Sequence, residues 1–173
     1  KHYALLNDEL RKKIYYQTKQ RAYDQELGDK AGELGKKARA FSDLTVNNSR
    51  DGSFAAYDTK WLEDQINQNQ NTYGSVNWVS IYSDMVQSRF GRRTDGRSGF
   101  NNDYSVFTDM AGTEHNVAAY GKAIREYVDA WQEYNKTKKS IDAALDPLIG
   151  DYDPFAETPG ELTNDAADKE AEK

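Results

Sequence analysis

The residues best suited to chemistry lie between positions 47 and 58, where the spacing resembles that of an EF-hand or dockerin-type calcium loop. Glycine occupies the sixth place of these twelve, and helical patterns lie on both sides. The candidate calcium ligands are Asn47, Ser49, Asp51, Ser53 and Asp58. Only Asp51 and Asp58 carry negative charge, so the affinity for calcium is expected to be poor. The alternative interpretation is an Asp-Gly turn followed by a helix that Asp58 caps.

A second group with chemical potential is a set of four neighbouring arginines with Phe90 beside them. These residues are Arg89, Arg92, Arg93 and Arg97. Guanidinium groups pair bidentately with phosphate and carboxylate, so the cluster predicts contact with an anion or an acidic partner. A solvated loop, or a loop that binds this chain's own acidic tail, explains the same residues. No nucleic acid is expected as a partner, because the rest of the chain is not basic.

Catalytic chemistry is not predicted. The segment from Thr113 to Asn116 contains His115 but lacks the second histidine of a helical zinc motif, which indicates a surface histidine near a helix start. The chain has no cysteine, which excludes disulfides, thiolate metal sites and a cysteine nucleophile. Nucleophile elbows, phosphate-binding loops and the dinucleotide fingerprint are also absent from the sequence. We therefore expect a protein that is not an enzyme, with calcium as the one cofactor that the sequence suggests.

The strongest structural pattern is a seam of apolar side chains after residue 112, with the three-and-four spacing of an amphipathic helix. Its members are Val117, Tyr120, Ile124, Tyr127, Trp131, Tyr134, Ile141 and Leu145. The seam is rich in aromatic residues, which favours packing into a bundle over a two-stranded zipper. Thr113 or Gly112 is predicted to begin this helix, with Thr113 as its cap and Glu114 at its positive end.

Three further helices are predicted. The first runs from about Tyr3 to Phe41, carries an apolar stripe of Leu6, Leu10 and Ile14, and bends or breaks near Gly28 and Gly32. The second follows the predicted cap at Asp58, and the third contains apolar residues from 76 to 86 with Trp78 near its start. The predicted fold is all-α, an elongated antiparallel helical bundle of three to four long helices.

The charge pattern divides the chain into a body, residues 1–145, and an acidic tail, residues 146–173. The net charge is −6, and the tail contains nine acidic residues against two basic ones. All three prolines also lie in the tail. We expect the helical bundle to occupy 1–145, and the tail to be disordered or extended because it has too little apolar surface to fold alone.

Two segments near the end of the body resemble the C-terminal signature of the LemA family. Gly112, Thr113 and Glu114 match its first pattern, and Tyr127, Ala130, Tyr134 and Asn135 match its second. The family's Asp-Leu-Ile-Pro-Asn-Leu-Val-like stretch is missing. The resemblance implies an all-α bundle behind a short N-terminal membrane anchor, with no enzymatic activity and a role in the bacterial envelope or a membrane-associated assembly. Such an anchor would precede Lys1, since the sequence has no run of about 18 apolar residues.

The expected function is therefore that of a membrane-tethered structural or scaffold protein of LemA-like type, with a protein partner or self-association. Two other functions fit the same sequence. One is a calcium-dependent helical interaction module that uses the loop at 47–58. The other is a subunit of a filament, virion or secretion assembly.

Overall fold

A computed structural model describes residues 2–48, 54–91 and 99–149. This part of the chain is mostly helical, as predicted. It forms two compact units, of which the first combines Lys1–Ala22 with Ser140–Lys173 and the second is Tyr23–Lys139. The predicted acidic tail begins in the first unit with a short 3-10 helix, Asp146–Ile149, and its residues 150–173 lie outside the described part.

The N-terminal helical run is longer than predicted. It comprises α1, His2–Ala22, and α2, Gly28–Ser42, each followed directly by a π-helical turn, Tyr23–Leu27 and Asp43–Asn47 respectively. The predicted irregularity near Gly28 takes the form of the first π-turn, and Leu27 keeps helical dihedral angles. A π-turn accommodates an extra residue without ending the helix, so the glycines that follow it do not break the run.

In the first unit, α1 packs against the last residues of the final helix. The Tyr15 hydroxyl donates to Asp146 Oδ1 at 2.6 Å, and Lys19 Nζ lies 3.1 Å from Asp142 Oδ1. Tyr15 and Ile141 are buried. Because the contact moves from 146 back to 142 as α1 advances from 15 to 19, the two segments run antiparallel.

In the second unit, two capped helices supply much of the core. Helix α3, Thr59–Asn69, begins after Asp58, whose side chain accepts a hydrogen bond from the Trp61 amide at 2.8 Å. This confirms Asp58 as a helix cap. Helix α4, Trp78–Phe90, is capped by Asn77, and together α3 and α4 bury the following side chains: Leu62, Ile66, Ile81, Tyr82, Met85 and Val86.

The last helix, α5, spans Ala118–Leu145 and carries the predicted seam. Ile124 and Tyr127 are buried in the core of the second unit, and Tyr120 and Trp131 pack against it. The prediction of one continuous amphipathic helix is confirmed for the seam from Tyr120 to Leu145, whereas Val117 lies just before α5. The predicted start at Gly112 or Thr113 is wrong, because a strand precedes the helix.

A two-stranded antiparallel sheet, which the sequence analysis did not predict, precedes α5. Strand β1, Val106–Thr108, pairs with β2, Glu114–Asn116, so that Phe107 lies opposite His115. In the connecting turn, Asp109 Oδ1 accepts from the amides of Ala111 and Thr113, and Gly112 adopts a φ of 82°. These bonds direct Thr113 and Glu114 into a strand and not into a first helical turn.

Candidate functional site

The second unit contains a surface cleft with a volume of about 450 Å³, formed by the start of α4, the turn before β1 and one face of α5. We call it the Trp78–Arg125 cleft. The side chains that matter most are Trp78, Tyr82, Asp103, Tyr104, Arg125 and Asp129. The volume falls within the range of about 300–1,000 Å³ that is usual for small-molecule sites.

The floor of the cleft is built around Tyr82, whose side chain is fully buried. A Cβ atom added at Gly121 would lie 3.0 Å from the Tyr82 ring, so any larger residue there would require the ring to shift by a few tenths of an ångström. The hydroxyl donates to the carbonyl oxygens of Tyr104 at 2.7 Å and Val117 at 3.0 Å. Burial raises the pKa of Tyr82 well above its usual value, so the hydroxyl stays protonated. Trp78 stacks on Tyr82 at 6.1 Å and is half-buried.

Tyr104 forms the rim of the cleft in an unusual backbone conformation. Its φ is 60°, a left-handed value. Glycine adopts this value easily, but for a residue with a side chain it is unfavourable in free energy. The preceding turn is fixed by Asn101 Oδ1, which accepts from the amides of Ser105 at 2.9 Å and Val106 at 3.0 Å. Hydrogen bonds from the Ser105 hydroxyl and amide lower the pKa of Asp103, so that this carboxylate is charged at neutral pH.

The α5 wall of the cleft presents charged groups on successive helical turns. Glu126 is engaged by Lys37 at 3.3 Å and by Lys122 at 4.0 Å. Arg125 and Asp129 are exposed, and neither forms an ion pair or a side-chain hydrogen bond with another residue in the described ranges. Among the described residues, the cleft therefore offers a ligand the cation of Arg125 and the carboxylate of Asp129, which no other described side chain engages.

A second polar cluster is the Asp109–His115 pair on the hairpin. His115 Nε2 lies 2.8 Å from Asp109 Oδ2, and the imidazole stacks on Phe90 at 3.9 Å between ring centroids. The hydrogen bond from His115 lowers the pKa of Asp109. His115 is thus a half-buried strand residue three positions before α5, not a surface residue of a helix. No described hydroxyl is hydrogen-bonded to its ring, and the pair links the turn after β1 to β2.

The predicted stripe on α1 is present and points outwards. Leu6, Leu10 and Ile14 are 51%, 55% and 54% exposed. Five residues along an α-helix correspond to a rotation of about 140°, so Tyr15 and Lys19, which hold the end of α5, lie far around the helix from Leu10 and Ile14. Within the described part of the first unit, this α1 stripe remains accessible to solvent. We define it as Leu6, Leu10 and Ile14.

The predicted calcium loop lies partly outside the described residues. Asn47 ends the second π-turn, where its side-chain amide donates to Asp43 Oδ1 at 2.8 Å, and Asp58 caps α3. Ser49, Asp51 and Ser53 lie in the gap after residue 48. Among the described side chains, no three His, Cys, Asp or Glu residues form a group that could hold a metal ion. Calcium binding at 47–58 stays a prediction.

The predicted arginine cluster also lies partly outside the described residues. Arg89 is exposed near the end of α4, with its guanidinium 5.3 Å from the centroid of the Phe90 ring. Arg92, Arg93 and Arg97 lie outside the described residues. Contact of these four arginines with an anion or an acidic partner stays a prediction.

Comparison of the chain with family models, curated proteins and solved structures finds no match. No helix in the described ranges has the length and apolar character needed to cross a bilayer.

Proposed function

We propose that this protein is a non-enzymatic helical scaffold that acts by association, and that two copies pair through the α1 stripe. The observation that carries the proposal is the exposure of Leu6, Leu10 and Ile14, each more than half accessible on one face of one helix. Contiguous exposed apolar side chains at helical spacing are typical of surfaces that bind another helix.

The energetics favour a weak dimer. Full burial of one aliphatic side chain stabilises a complex by about 1.5–3 kcal/mol, and these side chains are already about half covered. Association itself costs about 4 kcal/mol or more in lost rotational and translational freedom. Three side chains from each copy contribute about 4.5–9 kcal/mol, which leaves at most about 5 kcal/mol after that cost and a dissociation constant of about 0.2 mM at the tightest.

The charges beside the stripe favour an antiparallel pair. Glu9 and Lys13 are one helical turn apart on the same flank of Leu6 and Leu10, and both are exposed. In an antiparallel pair centred on Leu10, Glu9 of one copy lies near Lys13 of the other, and the reverse pair forms by symmetry. In a parallel pair, the opposite flank, with Asn7 and Arg11, would face them instead, and Arg11 would then repel Lys13 while it attracts Glu9.

Substitution of Leu10 by aspartate is expected to abolish pairing, because it places a charge at the centre of the contact. Sedimentation velocity over a concentration series would show a rising weight-average sedimentation coefficient for the wild type and a monomer for Leu10→Asp. Tyr73→Asp is the matched control, since Tyr73 is 92% exposed in a turn of the second unit and should leave pairing unchanged.

A charge exchange tests the orientation. Glu9→Lys and Lys13→Glu should each weaken pairing, because each places like charges opposite one another, and the double exchange should restore it. A wild-type chain that stays monomeric near millimolar concentration would overturn the proposed association. Equal pairing in all variants would show that another surface is responsible.

We also propose, from the LemA resemblance, that a segment upstream of Lys1 tethers the scaffold to a membrane of the bacterial envelope. A tether confines copies to one plane and raises their effective concentration, so weak pairing would suffice for assembly. Fractionation of the complete gene product should find it in the membrane pellet after a high-salt wash. Recovery in the soluble fraction, with no apolar segment encoded upstream, would contradict this part of the proposal.

A further inference from the structure

We infer that the Trp78–Arg125 cleft binds a neutral carbohydrate, a function separate from association through the α1 stripe. The cleft lies in the second unit and the stripe in the first, so each proposal can fail without the other.

Aromatic surface is the first feature that a sugar ring requires, because its C–H bonds pack on the face of an aromatic ring. Trp78 is half-buried, and the part of its indole that Tyr82 does not cover borders the cleft. Tyr104 is 39% exposed and also lines it. The left-handed backbone at Tyr104 is costly for any residue with a Cβ. The Tyr104 ring lies 5.5 Å from the Phe100 ring between centroids, and its exposed part is available to a ligand.

Paired donors and acceptors are the second feature. A sugar hydroxyl both donates and accepts hydrogen bonds, so a site that recognises it presents groups of both kinds. Arg125 supplies donors and Asp129 supplies acceptors, one helical turn apart and without partners among the described residues. Asp103 keeps further acceptor capacity on its charged carboxylate beyond the bonds from Ser105.

The same groups disfavour other classes of small molecule. An anion would meet Asp103, Glu126 and Asp129, and a cation would meet Arg125 and Lys122. A wholly apolar ligand would remove water from these charges without replacing their hydrogen bonds, which is unfavourable. A neutral, polyhydroxylated ring satisfies both the aromatic and the charged parts of the lining.

The test is a titration of the full chain with maltose, cellobiose and N-acetylglucosamine. The chemical shift of the Trp78 indole N–H is measured in proton–nitrogen correlation spectra at each sugar concentration. The resonance is assigned by its loss in Trp78→Phe. Choline chloride and sodium phosphate, at matched ionic strength, serve as the cationic and anionic probes. We expect saturable movement of this resonance with at least one sugar, with a dissociation constant on the order of millimolar, and none with choline or phosphate.

Two variants connect the signal to the cleft. Arg125→Gln should weaken sugar binding by about ten-fold, the usual effect of losing a charge-assisted hydrogen bond, whereas Arg39→Gln, an exposed arginine on α2, should not. Tyr104→Gly should abolish binding while changing the thermal midpoint little, because relief of the left-handed backbone offsets the lost contact with Phe100. Any of three results would overturn the inference: no shift of the Trp78 resonance with any of the three sugars, a shift only with choline or phosphate, or unchanged sugar binding in both cleft variants.

Discussion

We expect Gly99→Ala to lower the free energy of unfolding by about 1–3 kcal/mol, the usual cost of overpacking a core. Gly99 is buried, and an added Cβ would lie 2.7 Å from Phe107 Cζ and 3.0 Å from Phe107 Cδ2. The Phe107 ring cannot retreat easily, because it is fully buried and packs on Phe90 and Phe100 at centroid distances of 5.9 Å and 5.0 Å. Urea denaturation followed by circular dichroism measures the loss.

Gly35→Ala is the matched control for this substitution. Gly35 lies within α2, where an added Cβ has no neighbour within 4 Å, and alanine is better than glycine inside a helix by about 0.5–1 kcal/mol. The same methyl group should therefore destabilise at 99 and stabilise at 35. If Gly99→Ala were as stable as the wild type, the close approach of β1 to residue 99 would be wrong.

The second large effect is expected from Tyr82→Phe, which should cost about 0.5–1.5 kcal/mol at pH 7 by leaving a part-buried carbonyl without its donor. That carbonyl belongs to Tyr104, because the Val117 carbonyl also accepts from the amides of Tyr120 and Gly121. Tyr127→Phe is the matched control and should cost less, since the Tyr127 hydroxyl donates to the exposed carboxylate of Glu63. Chemical denaturation of the three proteins under identical conditions gives the comparison.

The pH dependence gives this prediction a sign. In the folded chain, the pKa of Tyr82 is raised above the ordinary value of 10.0. As the pH rises above 10, the Tyr82 hydroxyl therefore ionises in the unfolded chain before it ionises in the folded one. The stability that the wild type gains from this group is complete below pH 10 and declines as the pH rises further. The difference between wild type and Tyr82→Phe should therefore shrink above pH 10, and a difference that grows would contradict the buried, neutral hydroxyl.

The helices were predictable because their signals are local. The seam after residue 117 and the cap at Asp58 are short-range patterns that the helix needs for its own formation. The hairpin was missed because Thr113 followed by Glu114 also matches a helix start. Asp109 and Gly112 are residue types that favour a turn, and in the structure they supply the side-chain hydrogen bond and the left-handed glycine of the turn at 109–112. The strands beside this turn are only three residues long, so their sequences show almost no alternation of apolar and polar residues.

The cleft could not be predicted from one sequence, because tertiary packing creates it. Trp78, Tyr104 and Arg125 come from three separate segments, and none belongs to a motif with a fixed spacing. Trp78 attracts notice only as the first residue of a helix. The left-handed φ of Tyr104 and the lack of a partner for Arg125 among the described residues arise from tertiary structure, so the order of residues does not reveal them.

The buried Thr45 has a practical consequence for protein engineering. Its hydroxyl lies 3.0 Å from the Phe41 carbonyl oxygen and 2.6 Å from that of Tyr57, and Phe54 is buried in the core. The two ends of the connection between α2 and α3 are thereby fixed independently of its length. Because doubling a loop adds only about 0.6 kcal/mol to the free energy of closure, lengthening the connection between these two fixed ends should cost little stability.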